Sequence, residues 1–377
     1  MSELKIDVFC HVLPDPYYRR MVEQLPGGGY MQKRVRGVPA LHDLELRFRM
    51  MDQHPGYVQV LSLAAPPLEA VAPPERSVEL ARVANDAMAE LVERYPDRFV
   101  GFVASLPMNH PEAAVREAER AVKELGATGV QVFTNVNGAP LDQPEYEALF
   151  AQMSQLDLPV WVHPTRPPEQ PDYPTERRSK YDIWWAFGWP YETSVFMARL
   201  VFWGLFDRYP NLKVVTHHMG GMVPYFEGRV GWGLDQVGRR TDEEEDVRAK
   251  QALRRRPLDY FRMFYADTAL FGALPATECG IAFFGPERVL FATDFPFDPE
   301  GGSLFLRETI RVVENVSFPL ETKEAIFHGN GSLAAGPVRV RWRGALGRPG
   351  GSVVRPVRAS WRVSLSARCG SSGTTPP

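Results

Sequence analysis

A (β/α)8 barrel, α/β in class, is the fold this 377-residue sequence predicts, and three observations predict it. Eight short, apolar, β-like runs alternate with helix-like stretches from one end of the chain to about residue 330. Four of those runs end in His or Asp, which a barrel of parallel strands gathers at one mouth. No run is followed by a glycine-rich dinucleotide fingerprint, which weakens the alternative of an open, doubly wound sheet.

The elements follow in order. Residues 4–13 read as the first strand, and two-residue alternation puts Asp7, Phe9 and His11 on one side of it. Cys10, of opposite parity, should face the helices. Residues 14–40, with Gly27, Gly28, Gly29 and Tyr30, form an insertion over the mouth. A helix at 42–53 leads to the second strand at 58–64, a helix at 74–95 to the third at 99–107, and a helix at 111–125 to the fourth at 129–136. Several of these helices open on proline, whose missing N–H costs little in a first turn. A helix at 144–156 precedes the fifth strand, 159–165, which carries His163 just before Pro164. A second insertion, 166–191, brings Trp184, Trp185, Phe187 and Trp189, as a pocket wall or lid, or else as loop packing or a subunit contact. After a helix at 192–209, the sixth strand at 213–220 carries His217 and His218, of which a regular strand can turn only one inward. A helix at 221–236, a strand at 264–270, a helix at 275–284, a strand at 288–297 with Asp294, and a helix at 303–314 complete the barrel.

Composition narrows the function. A net charge of −3 gives no nucleic-acid surface in the main body. Three cysteines make neither a disulfide framework nor a zinc ribbon, and no apolar run reaches membrane-spanning length or resembles a signal core. A cytoplasmic protein, acting on neither nucleic acid nor membrane, is the expectation. From residue 331 the pattern breaks: residues 331–377 hold eight arginines and no Asp, Glu, Lys or His. We expect either a disordered basic tail or, in preference, a shifted reading frame in place of a terminal helix, and assign it no function.

Two histidines and one carboxylate at strand ends, His11, His163 and Asp294, match a frequent catalytic metal set that leaves a position open. The inward member of the His217–His218 pair is a candidate acid or base beside it. Phe9 stands where a further donor would be expected, and phenylalanine cannot ligate. No nucleophile elbow or phosphate loop occurs.

These residues sit in segments that resemble the amidohydrolase superfamily, in its branch around aminocarboxymuconate semialdehyde decarboxylase: Ile6-Asp7 to His11 and Leu13-Pro14, Val162-His163-Pro164, Tyr209-Pro210-Asn211-Leu212-Lys213, His218-Met219-Gly220-Gly221 with Pro224, and Gly285-Pro286-Glu287-Arg288-Val289-Leu290-Phe291 with Asp294-Phe295-Pro296. The resemblance implies a distorted barrel over about residues 4–330 holding zinc or manganese on His11, His163 and Asp294, with His218 as the catalytic histidine. It aligns Arg47 with a clamp for the substrate carboxylate, and it marks Phe9 as a departure from a histidine or glutamate ligand. It also places His217 where the decarboxylase is usually apolar. The leading expectation is a metal-dependent, non-oxidative decarboxylase of a small aromatic or unsaturated carboxylic acid, possible as a homodimer. A metal-dependent hydrolase of an ester, lactone or amide, and a non-catalytic binding barrel, remain as alternatives.

Overall fold

The structure, a computed structural model, describes residues 4–25, 34–241 and 243–331. The glycine cluster at 27–29 and, apart from Gly331, the tail at 331–377 lie outside the described residues.

All eight expected strands form: β1 (Lys5–Val12), β2 (Tyr57–Leu63), β3 (Phe99–Phe102, resumed at Ala104–Ser105), β4 (Val130–Phe133), β5 (Val160–His163), β6 (Val214–Thr216), β7 (Tyr265–Asp267) and β8 (Val289–Leu290). Neighbours pair in parallel, from β1 through β3 and from the resumed part of β3 through β8. The seam between β8 and β1 is closed by Val8 N–H donating to Phe291 O at 3.0 Å and His11 N–H donating to Phe295 O at 2.8 Å. The result is a (β/α)8 barrel. Its interior is filled by Ile6, Val8, Phe9, Val60, Val103 and Trp161, while a larger apolar layer lies between the strands and the outer helices.

One irregularity decides where side chains go. Asp7 pairs with Gln59 but Cys10 pairs with Leu61, so β1 carries one extra residue in a bulge. Val8 and Phe9 both join the interior, and Asp7 is turned outward with Tyr57, whose hydroxyl donates to it at 2.6 Å. The expectation that Asp7 shares a side with Phe9 and His11 is therefore corrected.

Most helices match: Leu44–Met51, Pro74–Arg94, Pro111–Lys123, Glu147–Leu156, Gly188–Phe202, Leu274–Phe284 and Ser303–Asn315. The helix expected at 221–236 is turns over residues 221–226 and an irregular helical stretch beyond them, with a π-helical turn at Arg229–Gly233 and a 3-10 turn at Leu234–Gln236, because Gly228, Gly231 and Gly233 weaken regular helix there. The first insertion contains an unanticipated helix, Asp15–Gln24.

The insertions after β1 and β5 meet. Arg34 pairs with Asp182 at 3.2 Å and lies over the rings of Trp184 and Trp185. Trp189, from the second insertion, presses edge-on against His163 with centroids 5.3 Å apart. Trp189 thus packs on a site histidine, with Trp184 and Trp185 edge-on to it.

Candidate metal centre

His11, His163, His217, His218 and Asp294 converge at the C-terminal ends of β1, β5, β6 and β8. Two sets of ligating atoms, His11–His163–His217 and His217–His218–Asp294, each lie within 4.8 Å of one another. His11 and His217 are sealed off, while His218 keeps 9% and Asp294 6% of their surface, so these two face the mouth.

Both histidines of the pair reach the site because β6 stops at Thr216. His218, Met219, Gly220 and Gly221 all take positive φ, at 55°, 54°, 71° and 64°. This left-handed turn leaves strand parity behind, so the limit of one inward histidine does not apply. It explains the glycines twice over, since a Cβ on Gly221 would lie 2.4 Å from Pro190 O, and one on Gly220 2.7 Å from the Phe284 ring. Asp294 also sits at φ 62°, a strained conformation of the kind found at functional sites.

The hydrogen bonds around each ring fix its tautomer. His163 Nδ1–H donates to Pro164 O at 2.7 Å and His218 Nδ1–H to Ala269 O at 2.8 Å. His217 Nδ1–H donates to Asp267 Oδ2 at 2.6 Å. Ser62 spends its proton on Cys10 O, so His11 Nδ1–H donates to Ser62 Oγ at 3.1 Å. Every Nδ1 is anchored and every Nε2 is left with its lone pair. Such outer partners are what hold metal-ligating imidazoles in place.

The inward nitrogens face another acceptor. His11 Nε2 is 3.0 Å and His217 Nε2 3.3 Å from Asp294 Oδ1, and His11 Nε2 is a buried atom with no hydrogen-bond donor to meet it. Facing lone pairs need a cation between or beside them. Two metal–ligand bonds of ~2.1 Å set at right angles to tetrahedral angles separate their donors by roughly 3.0–3.4 Å. The donor set fits a divalent ion.

Without an ion, protons take up part of that role. Burial lowers the pKa of His217, but the Asp267 and Asp294 carboxylates outweigh it and push it up to about 9. Burial raises Asp294, yet the His11 and His217 rings beside it, with the His217 charge, carry it well below the usual carboxylate range. Burial pushes His11 down and His163 far down, and burial with the neighbouring His217 charge brings His218 to about 4. Two carboxylates against one imidazolium leave the site a net attraction for cations.

Asp267, at the end of β7, was not singled out from the sequence, although a carboxylate closing a strand was the signal that identified Asp294. It organises the turn, accepting from His217 Nδ1, His218 N and Ala269 N. Phe9 is fully buried among the imidazoles: its ring stacks on His217 at 4.0 Å and 11°, and His217 stacks in turn on His218 at 3.7 Å. It therefore backs the cluster and forms no part of an open pocket wall.

Arg47 is not at the mouth. Its side chain is fully buried in the layer between β1, β2 and the helix Leu44–Met51. Nε donates to Gln59 Oε1 at 2.7 Å, Nη1 to His11 O at 2.8 Å and Ala40 O at 3.3 Å, and the guanidinium lies over Phe295 at 4.7 Å. The reading as a carboxylate clamp is corrected, because a side chain on that outer layer does not meet substrate inside the barrel. Gln59 Nε2 donates onward to Tyr57, and Tyr57 to Asp7, which also accepts from Thr293 N and Oγ1. This relay ties Arg47 to the strands that carry His11 and Asp294.

A cavity of about 410 Å³, lined by Thr134, Asn135, Thr165 and Glu192 among others, opens beside β4 and β5, but none of the four histidines lines it.

The family model described as amidohydrolase matches residues 6–331. Gamma-resorcylate decarboxylase of Polaromonas sp. strain JS666 is 39% identical over 266 residues, 67% of this chain and 76% of that protein. The 2-amino-3-carboxymuconate-6-semialdehyde decarboxylase of Dictyostelium discoideum is 29% identical over 343 residues, 87% of this chain and 90% of its own. A crystal structure of dihydroxybenzoic acid decarboxylase from Polaromonas sp. JS666, with bound manganese and the inhibitor 2-nitroresorcinol, aligns with a TM-score of 0.69 at 30% identity, covering 88% of this chain and 96% of that one.

Proposed function

This chain belongs to the amidohydrolase family, and on that premise we propose that it is a divalent-metal-dependent, non-oxidative decarboxylase of a small hydroxylated aromatic carboxylic acid. The observation that carries this reading is the group of anchored imidazoles gathered at the barrel mouth, of which His11 and His217 turn Nε2 toward Asp294. His11, His163 and Asp294 would hold the ion. When bound, it supplies Lewis-acid polarisation of a substrate oxygen. Imidazole and carboxylate ligands suit manganese and zinc alike, and the manganese in the similar decarboxylase favours the former.

His218 handles the proton. Its Nδ1–H is committed to Ala269 O, so Nε2 is the atom free to accept a proton at the mouth and return it. Burial keeps the ring neutral and ready to accept. Breaking the bond between ring and carboxylate leaves an electron pair on the ring carbon. A proton taken by His218 from a substrate hydroxyl and delivered to that carbon completes the exchange for carbon dioxide. Phe271 against His218, Phe297 against His11 and Trp189 against His163 are flat apolar neighbours that exclude water and suit an aromatic substrate.

The test is carbon dioxide release from 2,6-dihydroxybenzoate and related hydroxybenzoates by manganese-loaded protein, with His218→Asn as control. Release that the control loses supports the reading. Cleavage of esters, lactones or amides without carbon dioxide would replace it by the hydrolase reading, and no turnover together with no bound metal would leave a binding barrel.

No described helix is long and apolar enough to cross a membrane. A cytoplasmic location rests on cysteine usage, with Cys10 and Cys279 unpaired. A homodimer is supported by exposed Tyr181 and Phe187 on the second insertion, and light scattering tests it.

A further inference from the structure

We infer that His217 is itself a metal ligand, supplying from the end of β6 the donor that Phe9 cannot supply from β1. The inference rests on the reading that this cluster holds a divalent ion. His217 is the one residue common to both sets of ligating atoms found among the described residues. Its Nδ1 is held by a carboxylate that also fixes the backbone of the next residue, so the ring is oriented from both sides of its Cα. Its Nε2 points at Asp294 Oδ1, the atom that His11 Nε2 also faces. Carboxylate, imidazole and metal in that order form a recurrent ligand arrangement.

Phe9 then has a definite part. Its centroid is 5.3 Å from His11, 6.0 Å from His163 and 4.0 Å from His217, so it packs against the back of three donors without contributing one. Lying parallel to His217, it blocks rotation of that imidazole away from the centre. The side chain that removes one donor thereby holds another in place, and the donor set becomes His11, His163, His217 and Asp294, with His218 left for the proton.

Metal stoichiometry and affinity are measured with manganese on the full chain, and ligand number by the visible spectrum of the cobalt-substituted protein, for wild type, His217→Ala, His217→Gln, Phe9→His/His217→Ala and His163→Ala. The inference expects His217→Ala and His217→Gln to weaken manganese by about 100-fold or more and to change the cobalt spectrum. It expects Phe9→His/His217→Ala to regain most of the affinity. Wild-type affinity and an unchanged cobalt spectrum in His217→Ala, with His163→Ala losing metal, would overturn the inference and leave the decarboxylase reading intact. Failure of the wild type to bind any divalent ion would overturn both. Circular dichroism identifies a variant that has not folded, and the double variant then carries the decision: affinity restored by Phe9→His supports the exchange, and no restoration in a folded protein refutes it.

Discussion

Replacing Arg47 with methionine separates a residue that supports the fold from one that grips substrate. The change removes the donors to Gln59 Oε1, His11 O and Ala40 O, all in the buried layer behind β1 and β2. Each stranded acceptor costs roughly 1–3 kcal/mol, partly offset because a guanidinium no longer has to be desolvated. Taking the low end for all three gives a net loss of about 3 kcal/mol. With an unfolding entropy of about 2.1 cal/mol/K per residue over roughly 330 residues, that loss lowers Tm by about 4 °C. The assay is a thermal melt of the metal-free protein, followed by steady-state kinetics with a hydroxybenzoate. We expect the melting loss, with KM little changed wherever the protein stays folded. A melt within about 1 °C of wild type together with a KM raised more than tenfold would refute the argument and restore the clamp.

Three further outcomes follow. His218→Asn should lower kcat by about 10²–10⁴-fold while metal content stays at the wild-type level, as read by plasma mass spectrometry; loss of metal with activity would make His218 a ligand. Gly221→Ala, at φ 64° with its Cβ 2.4 Å from Pro190 O, should cost about 2 kcal/mol or more in urea unfolding, and a neutral effect would contradict the described turn. Burial raises Glu69 to about 8, so the folded chain holds a proton that the unfolded chain releases near the ordinary glutamate value of 4.5. The wild type therefore loses stability as pH rises between those values, by an amount on the order of 3–5 kcal/mol, and Glu69→Gln should flatten that slope.

The strands were legible because each is a short apolar run closed by a polar or breaking residue. Val160–His163, closed by His163 and Pro164, shows this plainly. The bulge in β1 was not legible, since Val8 and Phe9 are both apolar and either parity satisfies the barrel interior. That single extra residue sent Asp7 outward, into the network that ends on Arg47. His11, His163 and Asp294 were visible as donors at strand ends, and the structure brings them together. Strand parity admitted only one of His217 and His218 and the resemblance chose His218; the rule fails because β6 ends at Thr216, before both. Gly220 and Gly221 announced a turn but not its start at His218. The order of contacts behind the site, including Asp267 with His217, depends on tertiary pairing between β6 and β7 that no local pattern encodes.

The left-handed turn after Thr216 has a consequence for how such a centre can change over generations. In an extended segment, adjacent positions compete for the interior, so gaining one inward group means surrendering its neighbour. Here two successive side chains point the same way, so gaining a group at 217 does not turn the one at 218 out of the interior. A site of this kind can exchange the donor at position 9 for one at position 217 by separate single substitutions, with the proton-handling imidazole kept at every stage.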